Sequence, residues 1–207
     1  MHVTFPSGAL TLEGDLANVN GAARGAVVCH PHPQYGGDMD NSVVRAMAGA
    51  LVDTGHATLR FNFRGVGAST GSYGSGIGEA EDLRAAVRFL RERTGVRPVA
   101  LAGYSFGAMV ILQAGPTIAE ADRLIAVAPP LSFFSLTCVA ACTQDKLFIV
   151  GNRDQYCSVA ELTRQLASVA APASQRVVPG ADHFFVGHEV ALSDAVRSFT
   201  LTARHCG

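Results

Sequence analysis

The chain has no tryptophan, little charge and no long apolar run. Charged residues fill 16 % of its 207 positions, where about a quarter is usual, and 48 % are hydrophobic. That balance excludes a disordered chain and leaves enough apolar material for a substantial core. The net charge of −1 gives no electrostatic footprint for nucleic acid or an anionic membrane. No stretch approaches the ~18 uninterrupted apolar residues of a bilayer span. Residues 1–8, M-H-V-T-F-P-S-G, lack the basic and apolar regions of a secretion signal, so a cytoplasmic location is expected. The five cysteines, Cys29, Cys138, Cys142, Cys157 and Cys206, are odd in number and form no recognisable framework. Reduced thiols are the expectation, with a Cys138–Cys142 bridge left open. Internal repeats, low-complexity tracts and dividing linkers are also missing, and residues 1–207 read as a single domain.

What is there is alternation. Apolar runs at 25–30 (G-A-V-V-C-H), 57–63, 98–102, 124–128, 146–150 and 175–178 read as short buried strands. Helical patterns fall between or after them, at 41–54, 79–93, 108–114, 159–169 and 189–203. The clearest is 79–93, where Leu83, Val87 and Leu90 share a stripe, acids crowd the start and arginines the end. Segments 2–5 and 9–16 read as an antiparallel opening around the turn Pro6-Ser7-Gly8. About eight strands, mostly alternating with helices, imply a mostly parallel central sheet with helices on both faces.

One turn in this frame carries chemistry. An ordinary serine is a poor nucleophile; an enzyme must expose its hydroxyl, remove its proton and stabilise the resulting oxyanion. A strand–G-x-S-x-G–helix elbow achieves the first of these. Gly103-Tyr104-Ser105-Phe106-Gly107 has that context, with V-A-L-A before it and A-M-V-I-L-Q-A after it. Gly67-Ala68-Ser69-Thr70-Gly71 matches the same pattern but lies inside a Gly-rich loop, where no elbow can form. Ser105 is therefore the expected nucleophile, and Ser69 is expected to be a flexible loop serine.

The base and the acid should come from later strand ends, in the chain order serine, acid, histidine. Of the histidines after Ser105, His205 is three residues from the end and His188 begins the last helix. His183, in P-G-A-D-H-F-F, directly follows a strand and is the expected base. Asp154 follows K-L-F-I-V-G-N-R at the same edge of the sheet and is the expected acid. Asp122 and Asp145 precede strands, at the wrong edge. Asp182 adjoins His183 and suits a solvated or loop-capping role better.

For the oxyanion, the Phe106 N–H is one expected donor, and the loop after the third strand should supply a second. In His30-Pro31-His32-Pro33-Gln34-Tyr35 the prolines have no N–H, which leaves His32, Gln34 or Tyr35. A metal reading of the His30/His32 pair would need further ligands, and only Asp38 and Asp40 lie near in sequence. No metal is expected. Arg64 suits tying its own loop better than anchoring a substrate carboxylate. Phe133 and Phe134, with Leu136, either wall a shallow acyl pocket and bind substrate or simply pack the core.

The runs C-H-P-H-P-Q-Y-G-G, F-N-F-R-G-V-G-A-S-T-G-S-Y, G-E-A-E-D, G-Y-S-F-G, G-N-R-D and G-A-D-H-F-F resemble the small, lidless bacterial α/β hydrolases. They stand close to the dienelactone-hydrolase-like esterases, and the resemblance spans essentially the whole chain. It implies an α/β-hydrolase fold and a carboxylic-ester hydrolase, and the serine, histidine and acid by themselves require no cofactor. Dienelactone hydrolases proper are similar but carry cysteine at the elbow, and Ser105 argues against that narrower activity. Residues 129–145 are too few for a cap domain, which favours short-chain esters. A thioesterase or a small peptidase would use the same three residues, although nothing here resembles the gating domain of prolyl-oligopeptidase-like peptidases. A non-catalytic receptor on this scaffold would commonly lose one of the three, and none is missing.

Overall fold

Apolar runs buried on both faces become strands, and those with an exposed side become the sheet's edge. In the structure, a computed structural model describing residues 1–202, the strands are β1 (His2–Ser7), β2 (Leu10–Ala17), β3 (Arg24–Cys29), β4 (His56–Phe61), β5 (Val99–Tyr104), β6 (Ala121–Val127), β7 (Asp145–Gly151) and β8 (Ala173–Val178). The α-helices are α1 (Ser42–Asp53), α2 (Ile77–Thr94), α3 (Phe106–Ala114), α4 (Val159–Leu166) and α5 (Glu189–Leu201). All eight strands form one sheet in the order β1-β2-β4-β3-β5-β6-β7-β8. Pairings β1–β2 and β2–β4 are antiparallel, and every pairing from β4 to β8 is parallel. This is an α/β-hydrolase sheet.

Strand β3 shows why the sheet must lie between two helical layers. Its side chains alternate with period two, and both sets are buried. Val27 and Cys29 face the layer holding Leu83 and Leu90 of α2, Val110 of α3 and Leu162 of α4. Ala26 and Val28 face the layer of Val43 and Met47 from α1 with Leu192 and Val196 from α5. A strand with one wet face could not carry G-A-V-V-C without a polar residue.

Several boundaries differ from the sequence reading. The first turn falls at Gly8 and Ala9, because Pro6 stays in β1 opposite Thr11. Helix α2 begins at Ile77, earlier than 79: Glu79 reaches back to accept the Gly76 N–H at 2.7 Å and caps the first turn. Strands β6 and β8 start earlier than their apolar stretches, and α4 stops at Leu166. The expected helix end at 203 lies outside the described residues, as do His205 and Cys206. Cys29, Cys138, Cys142 and Cys157 are free thiols, so Cys138 and Cys142 are not bridged.

Between β6 and β7 there is only a short connection with one 3-10 turn, Leu136–Val139, and no cap domain. Its far end is anchored by Lys146, whose side chain is buried. Lys146 Nζ donates to the carbonyls of Cys142 at 2.6 Å and Gln144 at 2.8 Å, which offsets the cost of burying an ammonium group. No helix among the described residues is long and apolar enough to cross a membrane.

Candidate active site

Strand β5 delivers Ser105 in a conformation that few residues tolerate: φ is 53° and ψ is −114°. Such backbone costs on the order of 1–3 kcal/mol and persists only where the surroundings impose it. They do so here. The Ser105 N–H donates to Val127 O at 2.9 Å, and Ser105 O accepts the Met109 N–H at 3.1 Å. A Cβ on Gly103 would collide with the Gly107 carbonyl, and one on Gly107 would stand 2.5 Å from Cys29 O. Both glycines are thus required by close approach of backbone to backbone.

Two loops beyond the carboxyl ends of β7 and β8 bring Asp154 and His183 to this serine. They are locked together. The Arg153 N–H donates to Ala181 O at 2.9 Å, the Gly180 N–H donates to Asn152 Oδ1 at 2.7 Å, and a Cβ on Gly151 would run into the Ala181 carbonyl. Tyr104, beside Ser105, donates its hydroxyl to His183 O at 2.9 Å. Burial raises the pKa of that phenol, so it remains a donor.

The three side chains form one chain of hydrogen bonds. His183 Nε2 lies 3.0 Å from Ser105 Oγ, and His183 Nδ1 lies 3.0 Å from Asp154 Oδ2. Asp154 Oδ1 also accepts the backbone N–H groups of Tyr156 at 2.8 Å and Cys157 at 3.0 Å. A buried carboxylate so held favours the imidazole tautomer with its proton on Nδ1. Nε2 is then the acceptor that a serine nucleophile needs. Asp182 turns away and accepts the Phe184 N–H at 2.9 Å as a loop cap.

The loop after β3 offers fewer backbone donors than its sequence suggests. The Gln34 N–H donates to His32 Nδ1 at 3.2 Å, and the Tyr35 N–H donates to His32 O at 3.1 Å. Both are consumed inside the turn. The N–H groups of His32 and Phe106 have no acceptor among the described residues, and the two rings lie 4.9 Å apart.

Other sequence candidates serve the framework. His30 is fully buried; Phe63 N–H donates to its Nε2 at 3.0 Å, and its Nδ1 lies 2.6 Å from Pro31 O. Neither ring nitrogen is available to a metal. Asp40 pairs with Arg60, and Asp38 accepts the Asp40 N–H. Arg64 grips buried Asp82 through Nε at 3.0 Å and a second nitrogen at 2.9 Å. Ser69 is not flexible, as its loop context suggested. It is 5 % exposed, donates to Asn62 O at 2.7 Å and accepts the Glu13 N–H at 3.0 Å. Phe134 and Leu136 pack on the core, whereas Phe133 is exposed beside Tyr156, with ring centroids 6.2 Å apart. Tyr156 itself, edge-on to His183 at 4.8 Å, was missed: a tyrosine two positions after an acid carries no distinguishing signal.

A model of the family described as alpha/beta hydrolase fold matches residues 27–140, more than half of the chain. The chain belongs to this family. The alpha/beta hydrolase resembles an alpha-beta serine hydrolase homologue from Coxiella burnetii at 32 % identity. That likeness covers 96 % of each chain, with a TM-score of 0.89. It is 34 % identical to a structure from Xanthomonas campestris described as an a/b serine hydrolase without lid, over 96 % of this chain and 92 % of that one, with a TM-score of 0.83. An uncharacterized protein of Rickettsia prowazekii (strain Madrid E) is 32 % identical over 86 % of this chain and 78 % of its own length. These likenesses, with the fold, support hydrolase activity.

Proposed function

We propose that this hydrolase cleaves small carboxylic esters through an acyl-enzyme on Ser105, within a single domain formed by residues 1–207. The observation that carries the reading is the unbroken chain Ser105 Oγ–His183 Nε2 at 3.0 Å and His183 Nδ1–Asp154 Oδ2 at 3.0 Å. His183 accepts the Ser105 proton as Oγ attacks the ester carbonyl, and Asp154 stabilises the imidazolium that forms. The free N–H groups of Phe106 and His32 receive the oxyanion; of the three loop donors, His32 is favoured because the other two are engaged. His183 then protonates the departing alcohol. Water repeats the cycle on the acyl-enzyme, so the steps close with no cofactor.

Labelling with a fluorophosphonate tests the reading most directly. Ser105 should be modified in the wild type, and Ser105→Ala should abolish the label. An unlabelled wild-type protein would leave only a ligand-receptor role. A panel of matched esters, thioesters and amides then ranks the carbonyl chemistry, and higher kcat/KM on the thioester or amide would replace the esterase reading.

A further inference from the structure

Among the described residues the exposed aromatic side chains are Tyr35, Phe133 and Phe184, at 87 %, 76 % and 54 % of full exposure. All three stand at the carboxyl edge of the sheet, and contacts through other rings link each to Ser105 or His183. Tyr35 lies against His32 at 4.7 Å, and His32 lies against Phe106, the residue after Ser105, at 4.9 Å. On the opposite side Phe184 meets the His183 ring edge-on at 5.7 Å, while Phe133 reaches it through Tyr156, 4.8 Å away.

The exposure of the second group is built in. Phe185 has φ of +55°, unusual for a bulky side chain, and its ring is fully buried. Burying Phe185 through that turn leaves its neighbour Phe184 outside, beside the imidazole. Phe133 is held in a similar way. Both the N–H and the hydroxyl of Ser132 donate to Tyr156 O at 3.1 Å, fastening the β6–β7 connection to the loop that carries Asp154. The strained turn at Phe185 and the Ser132 hydrogen bonds thus fix where these exposed rings project from their loops.

We infer that Phe133, Tyr156 and Phe184 form the subsite for the alcohol half of the ester, and that this enzyme prefers alcohols bearing an aromatic ring. The inference rests on the proposed mechanism, which assigns the two sides. As Ser105 Oγ bonds to the carbonyl carbon, its proton passes to His183 Nε2. When the intermediate collapses, the carbon–oxygen bond to the alcohol breaks and its electron pair stays on that oxygen, which takes the proton from Nε2. The leaving oxygen must therefore face the imidazole edge, and its substituent must extend over the rings around His183. The acyl half points the other way, toward His32, Tyr35 and Phe106.

Two isomeric esters test this: benzyl propanoate, with its ring on the alcohol, and ethyl phenylacetate, with its ring on the acyl group. Each is compared with ethyl propanoate. A specific aromatic contact should make wild-type kcat/KM favour benzyl over ethyl propanoate by at least about twofold. In Phe133→Ala and Phe184→Ala, both truncations of exposed rings, that ratio should fall by a similar factor. The ratio of ethyl phenylacetate to ethyl propanoate should move less. A benzyl preference that survives both substitutions, or a loss confined to the phenylacetate ratio, overturns the subsite while leaving the esterase reading intact. Failure of the wild type to hydrolyse any of the three overturns both.

Discussion

His30 and Phe63 are joined by a hydrogen bond in which the Phe63 backbone N–H donates to the imidazole Nε2 at 3.0 Å. Their rings also meet edge-on, with centroids 4.7 Å apart. The bond requires a neutral imidazole, and burial lowers the His30 pKa from the ordinary 6.5 to about 4. Between those values the unfolded chain binds a proton that the folded one refuses. Stability is therefore fully present above about pH 6.5 and declines as the pH falls toward 4, by an amount on the order of 3 kcal/mol. Urea unfolding at several pH values should show this decline in the wild type. His30→Gln, less stable at pH 7, should lose less over the same range; parallel declines would remove His30 as the source.

Ser105→Ala should fold normally and lose roughly a million-fold in turnover on an activated ester. His183→Ala should match that loss, and Asp154→Asn should cost about ten-thousand-fold by favouring the wrong tautomer. The triple variant should be no slower than the slowest single one. Additive losses would show that the three residues do not act as one unit.

Ser69→Ala should keep its fluorophosphonate label and its activity but lose stability. Its hydroxyl satisfies Asn62 O and the Glu13 N–H, and leaving such groups buried without a partner costs about 1–3 kcal/mol. Thermal or urea denaturation measures the loss. An inactive but fully stable variant would return this serine to the reaction.

Acyl-chain length probes the missing cap. Each buried CH₂ contributes about 0.8 kcal/mol, but only the loops at the carboxyl edge can bury any. On p-nitrophenyl esters, kcat/KM should peak at short acyl chains and fall beyond medium length. A steady rise to palmitate would demand an enclosed tunnel and a long-chain lipase or thioesterase.

Much of this architecture is legible in the sequence because it depends on local pattern. Buried strands announce themselves as G-A-V-V-C or L-F-I-V-G, and the strand ends mark where Ser105, Asp154 and His183 sit. The two G-x-S-x-G matches fit the pattern equally, and their flanks distinguish an elbow from a loop. What escaped notice depends on distant pairing. The pinning of Ser69 joins segments 56 positions apart, and Asn62 and Glu13 are joined across 49. No periodicity reports such contacts. The same holds for the choice among His32, Gln34 and Tyr35, which turns on how one imidazole folds back over its own turn. Phe133 and Phe134 are adjacent and chemically identical, so only the packed structure separates the exposed ring from the one that packs on the core.

The sheet order has a consequence for when this protein becomes reactive. Ser105 directly follows β5, near the middle of the sheet, but His183 arrives after β8, the last strand at its edge. A growing chain that has completed its elbow still lacks Asp154 and His183, the proposed acid and base. If the proposed reaction holds, Ser105 has no base until the loop after β8 is in place. In the proposed reaction, turnover regained during refolding would therefore report closure of that edge of the sheet.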